Sequence, residues 1–402
     1  MYKKANVNKK MNFEKLPKLI FGHETISEIP EQIKRLGRKN PLIVTDSGIV
    51  KHTDIIDNIN QEINETDIKN PDIYGELSSE PTFESVSNAV DYGKKKDFDI
   101  ILGIGGGSAM DTAKIVSIMK NNKKDIEHYV ETQTFENPRL PLLLIPTTSG
   151  TGSEVTGDAI FSLNNETKWF STSELIADVS IMDPGLTISM PPSVTASSGL
   201  DVLCHAIEGM MTTYSNNLID ELAIHAVKLS VENLEKAYNC SRDLESRYNM
   251  MIAATIGGIV NLNAPATLPH SVGYTLAHSH GLPHGLSCSV ALPYVMGFNL
   301  VMCEEKFAKI ATETMDINLK GKTQREKAIE SIRYIQDLAS RIEAPTTLKE
   351  IGVKEDELEE LALECVNKYP RPYNICDINE SKIKDLYINM YNGNLNLNGG
   401  GV

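Results

Sequence analysis

The stretch Asp99–Lys114, DIILGIGGGSAMDTAK, is a continuous apolar run that ends in glycines and passes directly into helix-forming residues. Apolar residues without alternation are what a strand buried on both faces requires. Glycines at its end let a backbone approach a ligand closely. The free amides of the helix that follows attract an anion such as a pyrophosphate. The pattern is not the usual dinucleotide fingerprint, because Ser108 stands at the sixth position counted from Gly103, where that pattern has glycine. It also lacks the lysine of a P-loop. A tight turn that uses glycine for packing alone would look the same. The position at the carboxyl end of a strand favours a nucleotide, and makes Gly105, Gly106, Gly107 and Ser108 candidate binding residues.

Working outward, KLIFG (18–22) and PLIVTD (41–46) read as strands, with a helix over 26–36 between them. A helix over 109–119 follows the glycines, and PLLLIPTT (141–148) is a second buried strand. Alternating strand and helix predicts a parallel sheet covered on both faces. The pattern changes near MDPGLTISMPPSV (182–194). Beyond it, 218–234, 248–260 and 325–342 carry apolar residues at helical spacing. Pro184, Pro191 and Pro192 mark the expected boundary between an α/β dinucleotide-binding domain (1–190) and an all-α domain (191–402). No internal repeat is visible.

At 402 residues, two domains is the natural expectation. Hydrophobic content of 41% with 23% charged residues is globular composition. A net charge of -15, with no basic run longer than Lys94–Lys96, argues against nucleic acid or an anionic membrane as partner. The cysteines Cys204, Cys240, Cys288, Cys303, Cys365 and Cys376 form no CxxC pair or framework and are expected as free thiols in a reducing compartment. The lysine-rich beginning is followed by no apolar segment, and no apolar run approaches the roughly 18 residues a bilayer demands. A soluble, cytoplasmic chain is expected. NLNLNGGGV (394–402) reads as a frayed tail.

PTTSGTGSE (146–154) follows the 141–148 strand with a dense set of hydroxyls suited to ribose and phosphate. Asp46 ends the second strand, where a carboxylate accepts ribose hydroxyls and repels a 2′-phosphate. That favours NAD over NADP, although a cap is the commoner use of an aspartate before Ser-Gly. Asp201 and His205 stand four residues apart on one helical face. His270 and His284 lie fourteen apart, each after a proline that favours a helix opening just beyond. Three imidazoles and a carboxylate suit a divalent first-row metal such as iron, zinc, nickel or manganese. Such a metal would act as a Lewis acid on an alcohol or carbonyl oxygen.

Taken together, GGGSAMDTAK, PTTSGTGSEVT, DVLCHAIE and the His270–His284 pair resemble the iron-containing (group III) alcohol dehydrogenases. Ordered motifs from KLIFG to PHGLSCSVALPYVM carry the resemblance across nearly the whole chain. It implies a dehydroquinate synthase-like fold, with an NAD(P)-binding domain, a helical metal domain and catalysis in the cleft between them. Asp201, His205, His270 and His284 would be the metal ligands, with iron the expected ion and zinc the alternative. Gly105, Gly106, Gly107 and Ser108 would hold the pyrophosphate. Asp46, Thr147, Thr148, Thr151 and Lys168 would contact the nucleotide. Asp111 and Lys114 would line the same region, with Lys114 bracing the loop. Glu208 is expected behind the ligands rather than in the chemistry. The implied reaction is hydride transfer between an alcohol carbon and nicotinamide, in a homodimer or larger homo-oligomer.

The chain departs from the pattern of the family it resembles. Many members carry a histidine four residues after the third ligand, read as a proton relay, and here that residue is Tyr274. A phenol with a pKa near 10 is a poor shuttle at neutral pH. Tyr274 would then be a pocket wall, with His280 or His278 carrying protons, or water and cofactor hydroxyls would relay the proton. Tyr274, His280 and Asp111 are the catalytic candidates. The tyrosine form also occurs in relatives that act on hydroxyacids or phosphonate-type aldehydes, so those substrates stand beside simple alcohols and aldehydes. A dehydroquinate synthase-like lyase on the same fold would need Lys and Arg near the site, and 197–211 and 257–290 contain none.

Overall fold

The structure is a computed structural model that describes residues 12–77, 81–164 and 166–397. Its first part contains β1 (Lys18–Phe21), α1 (Ile29–Arg35), β2 (Pro41–Asp46), α2 (Ser47–His52), α3 (Ile55–Asn64), β3 (Asp72–Leu77) and α4 (Phe83–Lys95). Then come β4 (Ile100–Gly105), α5 (Gly107–Met119), α6 (Ile126–Thr132) and β5 (Leu142–Pro146). A hairpin of β6 (Asp158–Leu163) and β7 (Glu166–Ser171) precedes β8 (Val179–Met182). The six-stranded sheet has the order β1-β8-β5-β4-β2-β3, and every neighbouring pair is parallel.

The run that reads as doubly buried is so. Ile100, Leu102 and Ile104 join Ile43, Leu143 and Ile145 in a cluster with residues of α1 and α3. Ile101 faces the other way and joins Leu42, Val44, Leu142 and Leu144 under α4 and α5. The helix expected over 26–36 is a 3₁₀ turn, Thr25–Glu28, followed by α1. Pro30 explains the break, since its ring is accepted only in the first turn of an α-helix.

The elements that follow are helices: α7 (Pro192–Met210), α8 (Asn217–Asn239), α9 (Leu244–Asn263), α10 (Leu268–His280), α11 (His284–Ser289), α12 (Leu292–Thr314), α13 (Gln324–Arg341), α14 (Leu358–Lys368) and α15 (Glu380–Asn392). Leu200, Leu203 and Ile207 of α7 sit in one core with Ile219 and Val227 of α8 and Val295 and Phe307 of α12. α11 packs on both α7 and α10. Among the described residues no single helix is long and apolar enough to cross a membrane. All six cysteines are free, and only Cys240 is exposed.

The end of the chain is not frayed over 394–397. Leu395 and Leu397 pack against the helical core, and Arg325 Nη2 donates to the Leu397 carbonyl at 3.1 Å. Leucines at alternate positions carry enough apolar surface to hold this polar segment down. The last five residues lie outside the described residues.

Candidate active site

α7 is buried along the face that carries Asp201, His205 and Glu208, and α10 and α11 bring in His270 and His284. The donor atoms of Asp201, His270, His284 and Cys288 all lie within 4.8 Å of one another. Asp201 Oδ1 is 4.0 Å from His270 Nε2 and 3.9 Å from His284 Nε2. These gaps are too long for hydrogen bonds, but suit two ligands that each reach a shared ion at about 2.0–2.2 Å. His205 borders the same carboxylate, with Nδ1 4.0 Å from Asp201 Oδ2 and its ring stacked on His270 at 5.0 Å. Asp201 Oδ1 and His205 Nδ1 are buried without a hydrogen-bond partner. Buried polar atoms left unmatched in this way fit a cation held between them.

Glu208 orients the set. It is fully buried, accepts from His270 Nδ1 at 2.6 Å, and accepts the Thr267 amide at 2.6 Å with its other oxygen. With Nδ1–H committed to a carboxylate, Nε2 keeps its lone pair and faces Asp201. Burial disfavours the His270 imidazolium, but the charge and hydrogen bond of Glu208 outweigh it and raise the pKa. Burial lowers the pKa of His205. For Asp201, burial pushes the carboxyl up, and attraction to His205, His284 and His270 more than reverses that, leaving it lowered. The His284 side chain is 37% exposed, so the cluster is open on that side.

Cys288 is not among the residues that the sequence singles out for the site. Its Sγ lies 3.9 Å from His284 Nε2, one turn along α11. The His284–Cys288 spacing of four residues was the available signal.

The second cluster lies at the carboxyl edge of the sheet, where β2, β4 and β5 end side by side at Asp46, Gly105 and Pro146. Gly105 has φ 145°, and a Cβ there would lie 2.7 Å from Ala109 Cβ and 3.1 Å from Asp46 Oδ2. The residue must therefore be glycine. Thr148 stands over Gly106 and Thr151 over Gly107, where a Cβ would meet Thr151 Oγ1 at 3.0 Å. Thr147 donates its amide to the Gly105 carbonyl at 2.9 Å, and Ser108 lies in the first turn of α5. Asp46 Oδ1 caps α2 by accepting from Gly48 and Ile49, and Oδ2 faces the glycines. The oxygen that faces the glycines is therefore not the one that caps the helix.

Asp111 and Lys114 lie beneath this loop. Asp111 accepts from Ser153 Oγ at 2.5 Å and from the Ile160 amide at 3.0 Å. Lys114 Nζ donates to Ser153 Oγ at 2.8 Å and the Asp158 carbonyl at 2.6 Å. With its oxygens engaged this way, Asp111 ties α5 to β6. Lys168 lies on β7, and its ammonium pairs with Glu166 at 2.8 Å.

Tyr274 is buried beside the metal-type cluster, with its ring stacked over His284 at 5.9 Å. Burial pushes its phenol well above the usual range, so it is a neutral donor at ordinary pH. His280 is elsewhere. It ends α10, about 15 Å along the axis from His270, with Nδ1 against Ser279 Oγ and Nε2 3.6 Å from Glu357. His278 is on the Tyr274 side of the helix and meets Thr167 Oγ1 at 2.9 Å. One cation reaches the site from a distant segment. Arg371 lies after α14, with its guanidinium 5.6 Å from the Tyr274 ring centre and Nη1 donating to Tyr373 Oη at 3.0 Å. No local pattern in the sequence marked it.

Family models match two long stretches of the chain. Residues 17–184 match that of iron-containing alcohol dehydrogenase, and residues 195–391 that of the Fe-containing alcohol dehydrogenase family, C-terminal. The chain belongs to the iron-containing alcohol dehydrogenase family. This alcohol dehydrogenase is 32% identical to long-chain-alcohol dehydrogenase 1 of Geobacillus thermodenitrificans (strain NG80-2), over 86% of this chain and 88% of that protein. It is 32% identical to sulfoacetaldehyde reductase of Bilophila wadsworthia (strain 3_1_6), over 85% of this chain and 88% of that one. The crystal structure of a 1,3-propanediol oxidoreductase superposes with a TM-score of 0.90 at 29% identity, covering 95% of this chain and 100% of that one.

Proposed function

We propose that this family member interconverts an alcohol and its aldehyde with NAD(H), using a divalent metal held by Asp201, His205, His270 and His284. The observation that carries the proposal is the buried, unpartnered Asp201 Oδ1 among the imidazoles. When bound, the ion supplies Lewis-acid polarisation of the substrate oxygen and the nicotinamide supplies the hydride acceptor. The residues of the chain do the positioning. Glu208 fixes the His270 ring, and the amides at the start of α5 with Thr148 and Thr151 receive the pyrophosphate. Asp46 Oδ2 takes the ribose hydroxyls and disfavours NADP. Tyr274, kept neutral by burial, donates a hydrogen bond at the edge of the substrate pocket rather than shuttling a proton. Iron is the ion we favour over zinc.

Arg371 beside Tyr274 favours a substrate that carries an acidic group, as in the sulfoacetaldehyde reductase relative. The test is absorbance of NADH with simple alcohols and aldehydes alongside sulfonate-, carboxylate- and phosphonate-bearing aldehydes, on metal-free and metal-restored protein. Turnover is expected only with metal restored, and faster with the acidic aldehydes. Metal-independent turnover, or none with any substrate, would overturn the proposal.

A further inference from the structure

The nucleotide-side and metal-side residues belong to different domains, and Thr167 of β7 joins them. Its Oγ1 is hydrogen-bonded to His278 Nε2 at 2.9 Å, and its amide makes a long 3.5 Å contact to Tyr369 Oη. Tyr369 is itself fastened to α10. Its carbonyl accepts from Ser271 Oγ at 2.6 Å, and its ring packs 5.2 Å from Tyr274 and stacks on His278 at 6.4 Å. His270, Tyr274 and His278 follow one another at one-turn spacing along one face of α10. On the opposite side, Asp111 holds the Ile160 amide and Lys114 the Asp158 carbonyl, so the hairpin is bonded to α5 and its glycine loop. A continuous set of contacts thus runs from the glycine loop through α5, β6 and β7 to the helix that carries His270 and Tyr274. Thr167 is 8% exposed, so its hydroxyl is shielded from bulk water. Beside it the hairpin lines a cleft of about 430 Å³ with Lys168, Trp169, Lys368 and Tyr369.

We propose that Thr167, His278 and Tyr369 form a latch that fixes the β6–β7 hairpin against α10 and holds the two halves of the active site at one separation. His278 is then a positioning residue, and its partner is a hydroxyl on the nucleotide-side domain rather than the substrate. The latch rests on the NAD(H) reading above, because it acts on nucleotide binding.

NAD⁺ binding to the metal-loaded enzyme is measured by titration calorimetry. Thr167→Val and His278→Phe should each weaken NAD⁺ binding about three- to tenfold, the scale of one side-chain hydrogen bond. The double variant should bind no worse than the weaker single, because both changes break the same contact. Thr167→Ser should restore wild-type binding, and metal content should be unchanged throughout. Additive losses, or NAD⁺ binding that is unchanged in both single variants, would overturn the latch. So would a His278→Phe enzyme with an altered pH profile beside a normal Thr167→Val enzyme, which would make His278 a proton carrier. Wild-type protein that does not bind NAD⁺ would instead remove the nucleotide reading and the latch with it.

Discussion

Glu208 decides which nitrogen of His270 is presented to Asp201, because it holds the other one. Loss of such an orienting carboxylate lowers metal affinity by about 10–100-fold in comparable sites. Glu208→Gln, which removes the charge without emptying the space, should fall in that range by competition with a chelator and leave NAD⁺ binding intact. Equal affinity for metal in the variant would show that the ring is oriented by packing alone. Asp46 offers a second clean separation. Because Oδ1 caps α2 and Oδ2 faces the glycines, Asp46→Ser keeps a capping oxygen but removes the charge. Its NADP⁺ to NAD⁺ ratio of kcat/KM should rise with little change in melting temperature, and an unchanged ratio would take Asp46 out of cofactor choice. The His and Asp donors were legible because prolines and four-residue spacings mark them locally. Glu208 was legible only as a bystander, since its value comes from a contact with His270, sixty-two residues away. Arg371 comes from a separate loop, and nothing about YPRPY signals its neighbours.

At the scale of elements, the cluster depends on how closely α11 approaches α7. A Cβ on Gly285 would lie 2.0 Å from the Ser197 carbonyl oxygen, so only glycine lets the first turn of α11 sit there. His284 is the preceding residue, and its distance to Asp201 is set by that approach. Gly285→Ala should push α11 outward and reduce bound metal to a minor fraction, read by elemental analysis. Binding of NAD⁺ at the sheet edge should persist, and full metal content would mean that α11 does not position His284. The central strands and long helices were legible because each shows a single clear pattern: β4 is apolar throughout, and α13 repeats at helical spacing. The β6–β7 hairpin was not, although it carries Lys168 and Thr167. Its faces are split between the Phe161–Phe170 cluster and polar partners on another domain, so no single period dominates. β3 escaped for a related reason, since only Tyr74 and Leu77 of its six residues are buried.

Across the whole molecule, the net charge and the buried thiols and phenols set the response to alkaline pH. The net charge is already -15 at neutral pH, and deprotonating lysines above pH 10 adds to the self-repulsion. The helical core also holds groups that must stay neutral. Burial pushes the thiols of Cys303 and Cys365 from 9.0 to about 12, the Tyr294 phenol from 10.0 to about 12, and the Tyr387 phenol well above 10.0. Each of these raised groups holds its proton in the folded chain after the unfolded chain has lost it. Its contribution to stability is therefore complete below the unfolded pKa and is lost as pH rises towards the folded one. On the acid side, Asp67 and Glu136 are lowered to about 2 by lysine partners but lie at the surface, where such pairs contribute little, whereas His205 and His284 are lowered by burial and cost stability once pH drops below the ordinary histidine range. The melting temperature should thus change little between pH 6 and 8 and fall progressively from about pH 9 upward. A variant carrying Cys303→Val and Cys365→Val removes two titrating groups and leaves the lysines alone. Its melting temperature should fall less steeply between pH 9 and 11 than that of the wild type. Parallel slopes in the two proteins would assign the alkaline loss to surface charge and remove the buried thiols from it.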